Sequence, residues 1–283
     1  MSGGSGEALG KPMALTLTKA ARRVLESPEP RDKVRHARAC AQALAAGEIS
    51  EIGAPGAPNA PARPDRPRLL APRDMPRRRQ AKSRSERIAL FHALAHIELN
   101  AIDLAFDLIA RFANPKLPSA FYADWVGVGA EEAHHFELLA NRLEALGSTY
   151  GALPAHGGLW QAPEKTADDL LARLAVVPLV LEARGLDVTP GMIQRLESHG
   201  DSEGADILRI ILKEEIGHVA KGRRWFQWEA ERRGEDPAWI WAELVRSRFR
   251  GELKPPFNFD AREAAGFDPA WLDRTGRQSP AKN

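Results

Sequence analysis

Residues 121–146 read FYADWVGVGAEEAHHFELLANRLEAL, and residues 207–226 read ILRIILKEEIGHVAKGRRWF. Both stretches are apolar at helical spacing, and both carry a Glu and a His three residues apart inside the apolar stripe. A helix turns about 100° per residue, so the side each residue takes can be computed. Glu132 shares a face with Phe121, Trp125, Val128, Phe136, Leu139 and Leu143. His135 lies one turn along and about 60° off. Glu131 and His134 point to the flank and to the opposite side. In the second stretch Glu215 lies with Leu208, Ile211, Leu212, Val219 and Phe226, and His218 is again about 60° off. Arg209, Lys213 and Arg224 face away.

Two further segments repeat the theme with a lone Glu. In FHALAHIELNAIDLAFDLI (residues 91–109), Glu98 falls in the stripe of Phe91, Leu94, Ala95, Ile102, Ala105 and Ile109, while His96, Asn100, Asp103 and Asp107 fall opposite. In LLARLAVVPLVLEARGL (residues 170–186), Glu182 sits with Leu171, Ala175, Pro178, Leu179 and Leu186, while Asp169, Arg173 and Arg184 face away. Glu98 precedes Glu132 by 34 residues, and Glu182 precedes Glu215 by 33. The order Glu, Glu-x-x-His, Glu, Glu-x-x-His is a twofold pseudo-repeat of one helical hairpin.

Four carboxylates in one apolar core repel one another and resist ionisation unless a cation compensates. Two lone Glu residues and two Glu-x-x-His pairs, one from each of four helices, form the donor set of a dinuclear metal centre in a helix bundle. The six expected ligands are Glu98, Glu132, His135, Glu182, Glu215 and His218. Oxygen and imidazole donors without thiolate suit iron or manganese. The expectation is two iron ions, with mixed manganese–iron or manganese occupancy as alternatives. A lone Glu-x-x-His is weak, and an Arg partner for each Glu is the competing structural account. The order and matched spacing of all four positions favour metal. His92, His96, His134 and His156 read as solvated, capping or supporting residues. Gly127, Gly129 and Gly217 lie near the ligands, where a missing side chain either leaves room for a small molecule or lets helices approach.

The rest of the chain sets the frame. The 283 residues carry 40 basic and 38 acidic side chains, a net charge of +2, which excludes a globally basic nucleic-acid binder. The single cysteine, Cys40, excludes a disulfide framework and a Cys-based zinc or iron–sulfur site. No apolar run approaches the roughly 18–20 residues of a membrane span. The opening MSGGSGEALGKP lacks a signal-peptide layout. A cytoplasmic protein with no membrane partner is expected.

The organisation expected is all-α. Residues 1–52 form an N-terminal helical segment, with helices over 13–26 and 32–46 and Asp32 capping the second. Residues 53–83 form a proline- and arginine-rich linker that the recurrent prolines hold extended. Residues 84–233 form a four-helix bundle with a long middle crossover, including a short helix over 190–199 capped by Thr189 with Pro190 in its first turn. Residues 234–283 form a short helix and a tail whose aromatic side chains need a surface to cover. The basic run Arg77, Arg78, Arg79, Lys82, Arg84 and Arg87 reads first as a solvated linker and second as a phosphate-contacting strap.

At HALAHIELNAIDLAFDL, ADWVGVGAEEAHHFELL, PLVLEARGLDVTPGM and ILKEEIGHVAKGRRWF the chain resembles a bacterial ferritin-like family of the di-iron carboxylate superfamily, catalogued as a domain of unknown function. The likeness takes in the DMPRRR approach and the PPFN tail. It implies the ferritin-like bundle and the same six ligands, and a distant similarity to the tRNA isopentenyl-adenosine hydroxylase. It implies no substrate. The leading functional expectation is an O₂-dependent di-iron hydroxylase or oxygenase acting on an unidentified substrate with an electron donor. The alternatives are an iron-handling or peroxide-detoxifying ferroxidase, and an RNA-associated hydroxylase that uses the basic linker. Nucleic acid is not the favoured partner, and a dimer is one possible assembly. A tyrosyl-radical role is disfavoured, because neither Tyr122 nor Tyr150 is placed to be oxidised by the site.

Overall fold

The computed structural model describes residues 15–76, 80–249 and 251–274. In chain order the elements are α1 (Leu17–Leu25), α2 (Pro30–Ala45), the two-residue strand β1 (Leu69–Leu70), α3 (Arg84–Arg111), α4 (Ser119–Ala145), the strand β2 (Ala155–His156), α5 (Gln161–Lys165) and α6 (Leu170–Val176). A π-helical turn (Val177–Glu182) then leads into α7 (Ala183–Ser198) and α8 (Ser202–Arg232). The tail holds α9 (Pro237–Arg248), α10 (Phe259–Ala264) and α11 (Ala270–Arg274). The fold is all-α. Its extended pairing among the described residues is a short parallel match of β1 to β2, which ties the linker to the middle crossover.

Local chemistry sets the long helices. Ser83 Oγ accepts from Glu86 N at 3.3 Å to start α3, and Asp201 Oδ1 accepts from Gly204 N at 2.9 Å to start α8. Gly147 (φ +69°) and Gly200 (φ +74°) take the left-handed conformation that ends α4 and α7. The second helix starts earlier than expected. Pro30 occupies its first turn and Asp32 lies within that turn instead of capping it. The fixed φ of proline suits that position.

α3 packs along α4 and α7 along α8, and the two hairpins join where α4 meets α8. α1 and α2 lie over α3 and α4, α9 packs on α6 and α8, and α10 packs on α7 and α8. α3 is long and apolar enough by composition to cross a membrane, but 61% of its most apolar window is buried inside this fold.

The polar side of α3, expected to face water, is buried. Lys33 of α2 is fully buried, donates to Val24 O at 3.2 Å and forms an ion pair with fully buried Asp103. Arg63 of the linker stands 3.1 Å from the other Asp103 oxygen and donates to Asn100 Oδ1 at 2.5 Å. Asp107 is held by Arg111 and by fully buried Arg173, which also donates to Thr166 Oγ1 at 2.8 Å. His96 lies between the Tyr150 hydroxyl (2.8 Å) and His156 O (3.2 Å), and His92 Nε2 accepts from Gly151 N at 3.0 Å. Burial lowers both imidazoles to about 4, so both are neutral at pH 7. A helical wheel drawn for an isolated bundle assigns this face to solvent because it omits the segments that cover it.

The basic linker is partly absorbed into the fold. Arg63 is engaged as described, Arg84 Nε donates to Leu146 O at 2.8 Å, and Arg87 Nε donates to Ala81 O at 3.2 Å. Arg77, Arg78 and Arg79 lie outside the described residues.

The separate helix expected over 190–199 does not exist. α7 runs through it with Pro190 inside, and Thr189 Oγ1 donates to Gly185 O at 2.8 Å instead of capping. Proline has no N–H for the carbonyl four residues back, which is that of Leu186. Asn258 of the tail supplies the missing donor, its Nδ2 bonding Leu186 O at 3.1 Å. Its Oδ1 meanwhile caps α10 through Ala261 N at 3.2 Å. Arg262 adds two bonds to Asp187 at 2.8 and 2.7 Å. At the other proline of this segment, Pro178, Trp241 Nε1 of α9 donates to Ala175 O at 3.2 Å. The tail thus supplies donors beside both prolines of the third bundle helix. Asn258→Ala is expected to cost about 1–3 kcal/mol, because it strands a buried carbonyl and removes a cap. Urea unfolding measures this. An unchanged midpoint would show that the Leu186 carbonyl finds another donor.

Candidate metal centre

Glu98 projects from α3, Glu132 and His135 from α4, Glu182 from the end of the π turn, and Glu215 and His218 from α8. The π turn sets Glu182. Pro178 sits inside it, and a Cβ at Gly222 of α8 would run into the proline ring, so glycine there lets the widened turn approach. Glu98, Glu132, His135, Glu215 and His218 are all buried. Glu182 keeps some accessible surface, but its Oε2 is buried.

The structure brings the six together around two imidazoles whose ring centres are 5.7 Å apart. His135 Nδ1 is 3.3 Å from Glu132 Oε2, 3.6 Å from Glu98 Oε2 and 3.8 Å from Glu215 Oε1. His218 Nδ1 is 3.0 Å from Glu132 Oε1 and 3.6 Å from Glu215 Oε1. Glu132 therefore turns one oxygen toward each ring. Glu215 lies between the rings, Glu98 belongs to the His135 side, and Glu182 feels Glu215 and His218. Glu98, Glu132, His135 and Glu215 each place one donor atom within 4.8 Å of the others, a spacing that can hold a metal ion.

Glu131, which the helical wheel sends to the flank, and Glu214, which the sequence reading does not single out, complete the arrangement. His135 Nε2 bonds Glu214 Oε2 at 2.7 Å, and His218 Nε2 bonds Glu131 Oε2 at 2.7 Å. Lys221 Nζ approaches Glu131 at 3.3 Å. Each helix thus lends the residue before its inward Glu to the histidine of the other. With Nε2–H donated outward to carboxylate, the nitrogen that faces the cluster, and that would give up its proton to a metal, is Nδ1. The signal was present in the sequence as a Glu-Glu doublet in both repeats. Truncating Glu214 or Glu131 to Ala is expected to weaken metal binding about 10–100-fold, since the ring it holds is freed to turn. Chelator competition measures this. Unchanged affinity in both variants would show that these carboxylates do not orient the rings.

The electrostatics are those of a site short of positive charge. Burial and the neighbouring Glu132 raise Glu98 well above the usual carboxylate range. Burial and Glu215 do the same to Glu182, and burial and Glu132 raise Glu215. Glu132 is the exception: burial opposes its charge, but His218 and His135 hold it well below the usual range. Burial alone would depress His135, but Glu132 and Glu98 lift it to about 11, and Glu132 and Glu215 lift His218 in the same direction. Protons thus supply the cations. Even so, Glu132 Oε1, Glu182 Oε2, Glu215 Oε2 and His218 Nδ1 are buried with no hydrogen-bond partner among the described residues. Buried polar atoms are ordinarily satisfied, and four unpartnered atoms on residues of one buried Glu/His group fit a bound cation. No arginine pairs with any of the four carboxylates among the described ion pairs, so the competing account is not what the structure holds.

The three nearby glycines divide. A Cβ at Gly129 would lie 2.6 Å from the Phe106 ring, so that glycine serves close packing of α3 on α4. Gly217 meets nothing within 4 Å, and Gly127 meets Lys221 Nζ at 4.0 Å, so both face open space. The two tyrosines are engaged elsewhere, Tyr122 with Asn114 (2.8 and 3.0 Å) and Tyr150 with His96.

No solved structure matches the chain. An uncharacterised protein of Haemophilus influenzae (strain Rd) is 42% identical over 210 residues, covering 72% of this chain and 73% of that protein. The family described as "Protein of unknown function (DUF455)" matches residues 26–273, a span that takes in α2, the linker, the whole bundle with its Glu/His cluster and most of the tail; the chain belongs to that family.

Proposed function

We propose that this chain is a ferritin-like dimetal carboxylate protein that holds two iron ions and serves as an O₂-dependent oxidoreductase, a hydroxylase or oxygenase drawing on an external electron donor. The observation that carries the reading is the mirrored pair of Glu-Glu-x-x-His units, each presenting an imidazole Nδ1 to a shared group of carboxylates. The donor set of four carboxylates and two imidazoles, without thiolate, is that of iron or manganese. A bound reduced iron pair would supply the electrons that reduce dioxygen. Glu132 and Glu215, which approach both rings, would be the carboxylates shared by two bound ions, and Glu98 and Glu182 would each serve one of them. Glu131 and Glu214 keep the rings in register through any change of charge inside. Phe136, Leu179 and Val219, on the same helical stripes as the carboxylates, are buried.

Anaerobic titration with ferrous iron tests this directly. Two irons per chain are expected, followed on exposure to air by O₂ uptake and a Mössbauer spectrum of a coupled ferric pair. Repeated turnover on addition of reductant would support the oxidoreductase reading. A hollow assembly that accumulates hundreds of irons on aerobic loading would replace it with iron storage. Failure to bind any divalent transition metal would overturn both.

A further inference from the structure

At the end of the bundle where α3 and α8 finish, a cleft of about 300 Å³ opens between their last turns, the α3–α4 connection and the start of α6. It lies 13 residues along α3 from Glu98, which at 1.5 Å per residue is about 20 Å from the metal centre. Its walls carry Arg111, Lys116, Arg232 and Arg233, with Trp228 and Phe112 as apolar surface. The one carboxylate in the wall, Glu229, is already held by Arg232 (2.7 Å twice) and by Arg233 (2.7 Å). Arg233 also reaches Asp169 at 2.8 Å. Arg111 is fixed by Asp107 and by Pro58 O at 2.7 Å, and Asp107 is shared with Arg173. Arg111, Lys116, Arg173, Arg232 and Arg233 thus stand against Asp107, Asp169 and Glu229, an excess of two positive charges. These bonds leave Nη1 of Arg111, Arg232 and Arg233, and Nζ of Lys116, without a hydrogen-bond partner among the described residues.

Cations in the last turn of a helix are ordinary, because they answer the carbonyl end of its dipole. That accounts for the sign of the charge. It does not account for a concave surface on which four free donors stand beside two aromatic rings. We propose that this cleft binds a small dianionic ligand of the phosphomonoester class, with an apolar or aromatic group lying against Trp228 and Phe112. One free Nη1 from each arginine and the Lys116 ammonium offer single charge-assisted donors to the several oxygens of a phosphate, and two surplus charges match a dianion better than a single carboxylate. The volume lies at the small end of ordinary ligand sites. The carboxylates that hold the arginines fix their geometry before the ligand arrives, which lowers the ordering cost of binding.

The test is calorimetric titration of the full chain with phenyl phosphate, at an ionic strength held constant with sodium chloride so that screening is equal throughout. Saturable one-to-one binding is expected, with benzoate at least tenfold weaker. Lys116→Glu reverses an exposed cation that has no partner, so it is expected to weaken phenyl phosphate at least tenfold with an unchanged melting temperature. Arg232→Gln should weaken it as well. Heats no different from those of sodium chloride, equal affinity for benzoate, or full affinity in Lys116→Glu would each overturn the assignment. None of these readouts depends on metal in the bundle.

Discussion

Replacing Glu132 and Glu215 together with Ala is expected to abolish metal binding while leaving the helical fold in place. These two carboxylates lie within 3.0–3.8 Å of both imidazole Nδ1 atoms, so both of the proposed metal positions would depend on them. Without them one carboxylate remains at each end, Glu98 and Glu182. The fold should survive, because a metal-free cluster of buried carboxylates is a source of repulsion and its partial removal relieves strain. Elemental analysis with circular dichroism makes the measurement, and two metals per chain in the double variant would sink the assignment. His134→Ala, at an exposed position beside the cluster, should leave metal content unchanged. The same electrostatics give a pH dependence with a definite sign. In the metal-free site His135, lifted to about 11, and His218 are protonated at pH 7, and Glu98, Glu182 and Glu215 are shifted toward holding protons. A metal must displace those protons, so affinity rises with pH and loading releases acid. Calorimetry in buffers of different ionisation enthalpy reads the release. A loading heat independent of buffer would show that the site binds metal without giving up protons.

The inward Glu and His residues were legible because burial imposes a period. A charged residue inside a continuous apolar stripe is conspicuous whichever helix carries it, and four such positions in matched order leave little room for chance. What escaped the sequence depends on contacts between elements. Glu131 and Glu214 lie on the flank of their own helices, and their role arises only where α4 and α8 meet. Asp103, Asp107 and Arg173 read as a solvent face because the helical wheel knows nothing of α2 or the linker. Pro190 read as a helix start because proline favours that position. Its place inside α7 is tolerated only because Asn258, 68 residues further on, donates to the carbonyl it leaves free. Periodicity reports which side of a helix is buried by its own bundle, and is silent about what the rest of the chain covers.

Asp103→Ala is expected to be the most destabilising single change on the outer face of α3, at about 3–5 kcal/mol. The carboxylate is fully buried against fully buried Lys33, with Arg63 at 3.1 Å. Burial pushes Asp103 up and Lys33 down, each toward its neutral form, and each is held charged by the other. Deleting the anion leaves an ammonium group in the interior with only Val24 O as an acceptor. Arg63 retains some access to solvent and can turn outward, so the penalty falls on Lys33. This gives the prediction its internal control. Adding Lys33→Met to Asp103→Ala should recover most of the lost stability, because a buried pair can be replaced by apolar groups far more cheaply than it can be halved. Urea midpoints for the wild type, the single variant and the double variant decide the matter. If the double variant is no more stable than Asp103→Ala alone, the loss comes from the cavity and not from the stranded charge. The fold would then rest on packing of α2 against α3, with the ion pair contributing register and little energy.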